Sequence, residues 1–486
     1  MLRPVAALSP SSLWSHFDRL TTVPRPSKKE ARVRAWVLEW AQAHGFESRE
    51  DAAGNIVVVV PATTGRERAP TVVIQTHLDM VCEKNRGVEH DFERDPINTA
   101  IVDGWVVAAG TTLGADNGIG VAAAMAAAVD PAVLRGPLEL LFTIDEETGL
   151  TGAANLDPTI VSGRTLLNLD TEEDGVLCIG CAGGADTQLS LPLQREAGRP
   201  GAIHRRLIVS GLRGGHSGID IHENRGNAIR LLVRVLEDAH QRALGFAVHD
   251  VAGGDKSNAI PREAESLLAL SDDDLPGWEE HLDRWRATLA LELAGIDAGV
   301  HLELAFAEPS GTPLIRDSAL RLLRLILTLP HGVLAMSPAV PGLVESSSNV
   351  AAVRCGEDSA TIVASSRSSL APALESIRAS IRAAAEMAGA NWRAADAYPG
   401  WQPSPSSAVT ELLRDVYRTI WGKDPVVTAV HAGLECGLLG ERIPGLDMIS
   451  FGPTIQGAHS PEERVEIATV ERFWRALALA LDRLSA

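Results

Sequence analysis

Four short apolar runs in the first part of the chain, at residues 55–60, 71–76, 137–144 and 164–169, most constrain its fold. They are rich in Val, Ile and Leu, bounded by Gly, Pro or polar clusters, and too short for ordinary helices. Runs of this kind fit strands buried on both faces, the situation in parallel sheets covered by helices. Apolar positions at helical spacing predict helices over 11–23 and 28–44, the second stopped by Gly45. An Ala-rich helix is expected over 118–129. Strands alternating with helices place this part in the α/β class with a mostly parallel central sheet.

The texture changes near residue 203. Strands are expected at 206–210, 245–251, 264–269 and 300–306, with helices at 225–239 and 278–293. A second set repeats the order, with helix 318–329, strands 347–353 and 359–365, helix 370–388 and strand 391–397. Two successive α+β sets suggest an insertion made of two similar halves. The stretch YPGWQPSPSS at 398–407 reads as a linker. Beyond it, helix 409–421, strand 425–430 and helix 467–484 restore the α/β texture. The expected organisation is a discontinuous α/β domain, residues 1–198 and 401–486, interrupted by an inserted α+β domain at 199–400.

A chain of 486 residues is long for one core, which agrees with two domains. With 63 acidic against 44 basic side chains, the formal charge of −19 repels phosphate backbones and anionic lipid, so neither nucleic acid nor membrane is an expected partner. The opening MLRPVAALSPSSLWSHF lacks the apolar stretch of a signal peptide, and the longest apolar run, 119–129, is too short to span a bilayer. The five cysteines are odd in number and scattered, as expected for reduced thiols; together these features point to the cytoplasm. Cys178 and Cys181 form a single CxxC, half of a zinc site and more simply a structural pair.

Several apolar runs end on residues that can bind cations. VVIQTHLDM sets His77 just after a strand with Asp79 two residues on, so that one could ligate and the other orient it; a cap or core role is an equal alternative. GTTLGADNGIG places Asp116 in a glycine-rich turn, where it could bridge two cations or cap a helix. The same stretch meets GxGxxA at Gly118, Gly120 and Ala123, a nucleotide-binding turn that would suggest an oxidoreductase, but no convincing first strand precedes it. LLFTIDEETGLTGA runs a strand into Asp145, Glu146 and Glu147, three carboxylates that repel one another unless cations neutralise them. LLNLDTEE ends another strand on Asp170, and SFGPTIQGAHSPEERV holds His459 in a polar loop. Two histidines and several acids form an N/O ligand set suited to zinc, cobalt or manganese. No HExxH, complete GxSxG or GxxxxGK[ST] competes with it.

The order HLDM, GADNGIG, DEETGLTGA, NLDTEE, GCAGG, GGHSG, SNAIPREA, HAGLECG and FGPTIQGAHSPEERV resembles the zinc aminoacylase and carboxypeptidase family of dinuclear metallopeptidases, in its bacterial aminoacyl-histidine dipeptidase branch. The resemblance covers nearly the whole chain. It implies His77 and Asp170 on one metal, Glu147 and His459 on the other, Asp116 bridging, Glu146 as general base and Asp79 orienting His77. It makes the insertion a lid that carries a homodimer contact. His216 of GGHSG would help hold the oxyanion, although a plain loop residue is the alternative. Asn258 and Arg367 would bind substrate, Arg367 gripping the peptide carboxylate with its guanidinium fork. Gly433 and Glu435 would lie near the substrate's amino end. The serine-rich VESSSNV and SSRSS depart from the expected variety, which bears on side-chain preference. The implied reaction is hydrolysis of Xaa-His or broader dipeptides by water activated between two divalent ions, zinc first and cobalt or manganese as alternatives. A deacylase of N-acyl amino acids on the same metal site is the alternative.

Overall fold

The computed structural model describes residues 4–486, so the first three residues of the expected opening segment lie outside the described residues. Contacts divide the chain into two compact units. One holds the chain up to Cys181 with Trp401–Ala429 and Leu434–Ala486; the other holds Ala182–Gly400 and Val430–Gly433.

The first unit is built on an eight-stranded sheet in the order Glu47–Glu50, Ile56–Val60, Leu138–Thr143, Val72–His77, Thr165–Asn168, Asp447–Ser450, Val176–Cys181, Val426–Val430. The α/β class holds, and the sheet is mixed. Its four consecutive strands from Leu138–Thr143 to Asp447–Ser450 are parallel, while the pairings flanking them are antiparallel. The Ala115–Val129 helix makes the crossover between Val72–His77 and Leu138–Thr143. It is buried on every side from Gly118 to Ala128, which small side chains permit between a sheet and the Ser11–Leu20 helix. Parallel register brings strand ends together. His77 lies opposite Thr143, and Gln75 opposite Asn168, so His77, the Asp145–Glu147 turn and Asp170 leave the sheet at the same edge.

The second unit carries a ten-stranded sheet whose strand pairings are all antiparallel among the described residues. Its amphipathic helices, Ala228–Gln241, Leu275–Glu292, Arg316–Thr328 and Ala371–Ala388, share one core with the sheet, including Leu207, Leu232, Leu268, Ile326, Ile362 and Ile381. The two expected α+β sets merge into this sheet, joined where Ala252–Gly253 pairs with Val353 and Arg354. The Gly183–Pro192 strand, hidden in a glycine-rich sequence, pairs with Ser359–Ser368, so the insertion begins before residue 199. The expected strand 245–251 shrinks to Ala247–Val248. The expected linker is ordered at its start: Tyr398 bridges to Gly184, and Trp401 to Cys181.

Candidate active site

At the sheet edge of the first unit, His77 is 1% exposed and points Nε2 at Asp116 Oδ1, 3.1 Å away, and Asp170 Oδ1, 3.4 Å away. Its other nitrogen, Nδ1, lies 3.4 Å from Asp79 Oδ1. Asp79 is held by the amides of Glu146 (3.0 Å) and Glu147 (3.2 Å) and by the Ser27 hydroxyl (2.8 Å), so a fixed carboxylate orients the imidazole. On the other side, His459 Nε2 lies 3.2 Å from Asp116 Oδ2 and 3.0 Å from Glu147 Oε2. Asp116 therefore turns one oxygen to each histidine.

Two groups of potential ligands result, His77–Asp116–Asp170 and Asp116–Glu147–His459, with Glu146 in a third alongside His77 and Glu147. A zinc ion about 2.0–2.1 Å from tetrahedral ligands sets ligand-to-ligand edges of about 3.3 Å. The observed separations match that edge. Glu147 Oε1 and Asp170 Oδ1 are buried without a hydrogen-bond partner, as lone pairs left for a cation are.

The electrostatics agree. Burial opposes protonation of His77, but the carboxylates of Asp170 and Asp116 outweigh it and raise the imidazole well above 6.5. Hydrogen bonds to Asp116 and Glu147 push His459 up to about 11. Burial drives Glu146 well above the usual carboxyl range, raises Asp170, and lifts Glu172 to about 8 and Glu435 to about 7. So many acids cannot all ionise side by side, and divalent cations would neutralise them.

Sequence reasoning missed the groups that hold this cluster. The Glu463 carboxylate accepts the amides of Leu113, Gly114, Ala115 and Asp116 at 2.7, 2.8, 2.7 and 3.2 Å. Arg25, buried, donates to the carbonyls of Leu78 at 3.0 Å and Asp79 at 2.7 Å, and to that of Gly114. Asn117 donates to Leu169 O at 2.6 Å, beside Asp170. The glycines of the GxGxxA stretch serve this packing rather than a nucleotide: a Cβ on Gly118 would meet Arg25, and one on Gly120 would meet Asn117 and the Leu169 carbonyl. Glu463 stands inside the quoted SPEERV; Arg25 had no comparable signal.

Glu435 is also in the first unit, 1% exposed, its Oε2 accepting from Gln75 Nε2 at 2.6 Å and Thr143 Oγ1 at 2.8 Å.

The remaining expected residues belong to the second unit. His216 Nδ1 accepts the amides of Gly218 (3.2 Å) and Ile219 (3.0 Å), which leaves the ring proton on Nε2; burial lowers its pKa, favouring this neutral donor. The exposed Asn258 is adjacent, its carbonyl accepting the Ser217 amide at 2.8 Å. A Cβ on Gly218 would lie 3.1 Å from His216 and 3.2 Å from Arg367, so those two side chains flank the same glycine. Arg367 is buried, donates from Nη1 to the Tyr398 hydroxyl at 2.9 Å, and leaves Nε without an acceptor. Gly433 packs on the Tyr398 ring. His431, absent from the expected set, joins this group with Nε2 2.7 Å from Ser347 Oγ.

The sequence pattern of peptidase family M20/M25/M40 matches residues 73–483, and the chain belongs to that family. It is 40% identical over 482 residues, 99% of each chain, to the cytosol non-specific dipeptidase of Escherichia coli. The crystal structure of aminoacylhistidine dipeptidase from Vibrio alginolyticus superposes with a TM-score of 0.93 at 39% identity, covering 99% of this chain and 98% of that one. Aminopeptidase PepT from Bacillus cereus, at 15% identity, a TM-score of 0.59 and coverage of 99% and 100%, shares the fold.

Proposed function

We propose that the protein is a dipeptidase acting on Xaa-His or broader dipeptides, with two divalent cations held by His77, Asp116, Glu147, Asp170 and His459. The observation that carries this reading is the division of Asp116, one oxygen toward His77, which also faces Asp170, and the other toward His459, which also faces Glu147. When bound, the cations, zinc first and cobalt or manganese as alternatives, lower the pKa of water and polarise the peptide carbonyl.

The chain's own side chains do the rest. Glu146 takes the proton of the attacking water and returns it to the leaving amine. Asp79 keeps His77 in the tautomer that presents a lone pair from Nε2. His216 donates from Nε2 to the carbonyl oxygen as charge develops there. Arg367 and Asn258 bind the peptide's carboxyl end. Glu435, with Oε1 unpartnered, and Gly433 serve the α-ammonium end. The inserted unit acts as the lid that excludes water.

A deacylase of N-acyl amino acids is not favoured, because the relatives at 40% and 39% identity are both named dipeptidases. Five free cysteines and the name of the Escherichia coli relative support a cytoplasmic location. Among the described residues no helix is long and apolar enough to cross a membrane. A homodimer through the inserted unit remains part of this reading on the strength of the sequence resemblance.

Metal content measured together with a substrate panel tests the reading. Two equivalents of metal and hydrolysis of dipeptides, including Xaa-His and β-alanyl ones, are expected. Absence of bound metal, or turnover confined to acyl amino acids, refutes it.

A further inference from the structure

The two ligand groups differ in what holds them. His77 and Asp170 leave adjacent parallel strands whose register is fixed by the sheet. Asp116 stands in the irregular first turn of the Ala115–Val129 helix, with a non-helical ψ of 115°, and His459 stands on a loop, 56% exposed with a left-handed φ of 63°. One buried side chain ties these two segments together. Glu463 accepts four consecutive amides from Leu113 to Asp116. It is joined to the His459 turn by its own amide, which donates to Ser460 O, and by the Ser460 amide, which donates to Gly457 O. Arg25 completes the clasp by bonding Gly114 O to the carbonyls of Leu78 and Asp79.

Resting on the two-cation reading above, we infer that Glu463 is a positioning residue that sets the affinity of the Asp116–Glu147–His459 cation position, leaving the His77–Asp116–Asp170 position much less dependent on it. Two of the three ligands at the first position ride segments that Glu463 fastens, against one at the second. Glu463→Gln replaces an acceptor oxygen with an NH2 group that faces N–H donors, so the loop must shift.

The test titrates metal-free protein with zinc against a competing chelator, with folding checked by circular dichroism. Wild type should bind two equivalents. Glu463→Gln should keep one tight equivalent and bind the other roughly ten- to hundred-fold more weakly, the usual effect of losing a residue that orients ligands. Saturating zinc should restore kcat, with KM for the dipeptide unchanged. Two undisturbed equivalents, or equal weakening of both, overturns the inference and leaves the proposed function standing. Fewer than two equivalents in wild type overturns both. Should Glu463→Gln fail to fold, Glu463→Asp, which keeps the charge but shortens the reach, is judged by the same unequal loss.

Discussion

Glu146 and Asp79 stand at the ends of neighbouring strands, joined by the Glu146 amide that donates to Asp79 Oδ1, yet have opposite electrostatic fates. Burial keeps the Glu146 carboxyl well above its usual range, whereas at Asp79 the opposing burial is outweighed by the hydrogen bond and charge of His77 together with the Ser27 hydroxyl and the Glu146 amide, which take it down to about 2. One is suited to carry a proton and the other to remain a fixed anion. Glu146→Gln is expected to retain both metal equivalents while kcat falls about 10²–10⁴-fold, as removal of a general base does; metal analysis beside steady-state kinetics checks it. In the second unit, burial and then Arg367 push His431 down to about 4. Its folded pKa lies below the ordinary 6.5, so between these values the unfolded chain binds a proton that the folded one does not. Its contribution is complete above about pH 6.5 and is lost as pH falls toward 4, up to about 3 kcal/mol. Urea unfolding at pH 7 and pH 5 should show a smaller acid loss in His431→Asn than in wild type; equal losses would contradict this.

Among the elements, the turn into the Ala115–Val129 helix is the most tightly specified. Gly114 has a φ of 71°, and a Cβ there would meet Arg25 Nη2 at 2.5 Å and Met80 Sδ at 2.9 Å. Left-handed strain of about 1–2 kcal/mol and overpacking of about 1–3 kcal/mol should make Gly114→Ala destabilising by about 2–5 kcal/mol, with weaker metal binding. Thermal unfolding of the apo and zinc-loaded forms separates the two effects. The buried face of the same helix is filled by alanine, and Ala124 is fully buried. Ala124→Leu should therefore cost about 1–3 kcal/mol without altering metal stoichiometry.

At the scale of the whole molecule, each unit has its own sheet and its own buried apolar side chains. Calorimetry is expected to resolve more than one transition, and chelation should lower the one belonging to the unit with the proposed metal site, by about 2.7 kcal/mol for each ion whose free concentration stood at a hundred times its Kd. A chelator-insensitive profile would count against the proposed site. The sequence by itself determined the α/β class and the helix at Ile467–Leu484, because apolar period and length survive in one dimension. It also marked His77, Glu147 and Asp170, since chemistry-bearing residues at the ends of apolar strands stand out against their surroundings. Only the tertiary structure decided the rest. The Gly183–Pro192 strand was masked by glycines that a Cβ would drive into the Tyr398 segment. Arg25 and Glu463 bind backbone groups 89 and 350 residues away, at Gly114 and Leu113. A peptide N–H or C=O is the same at every position, so a side chain that recognises one leaves no partner to be read from the sequence.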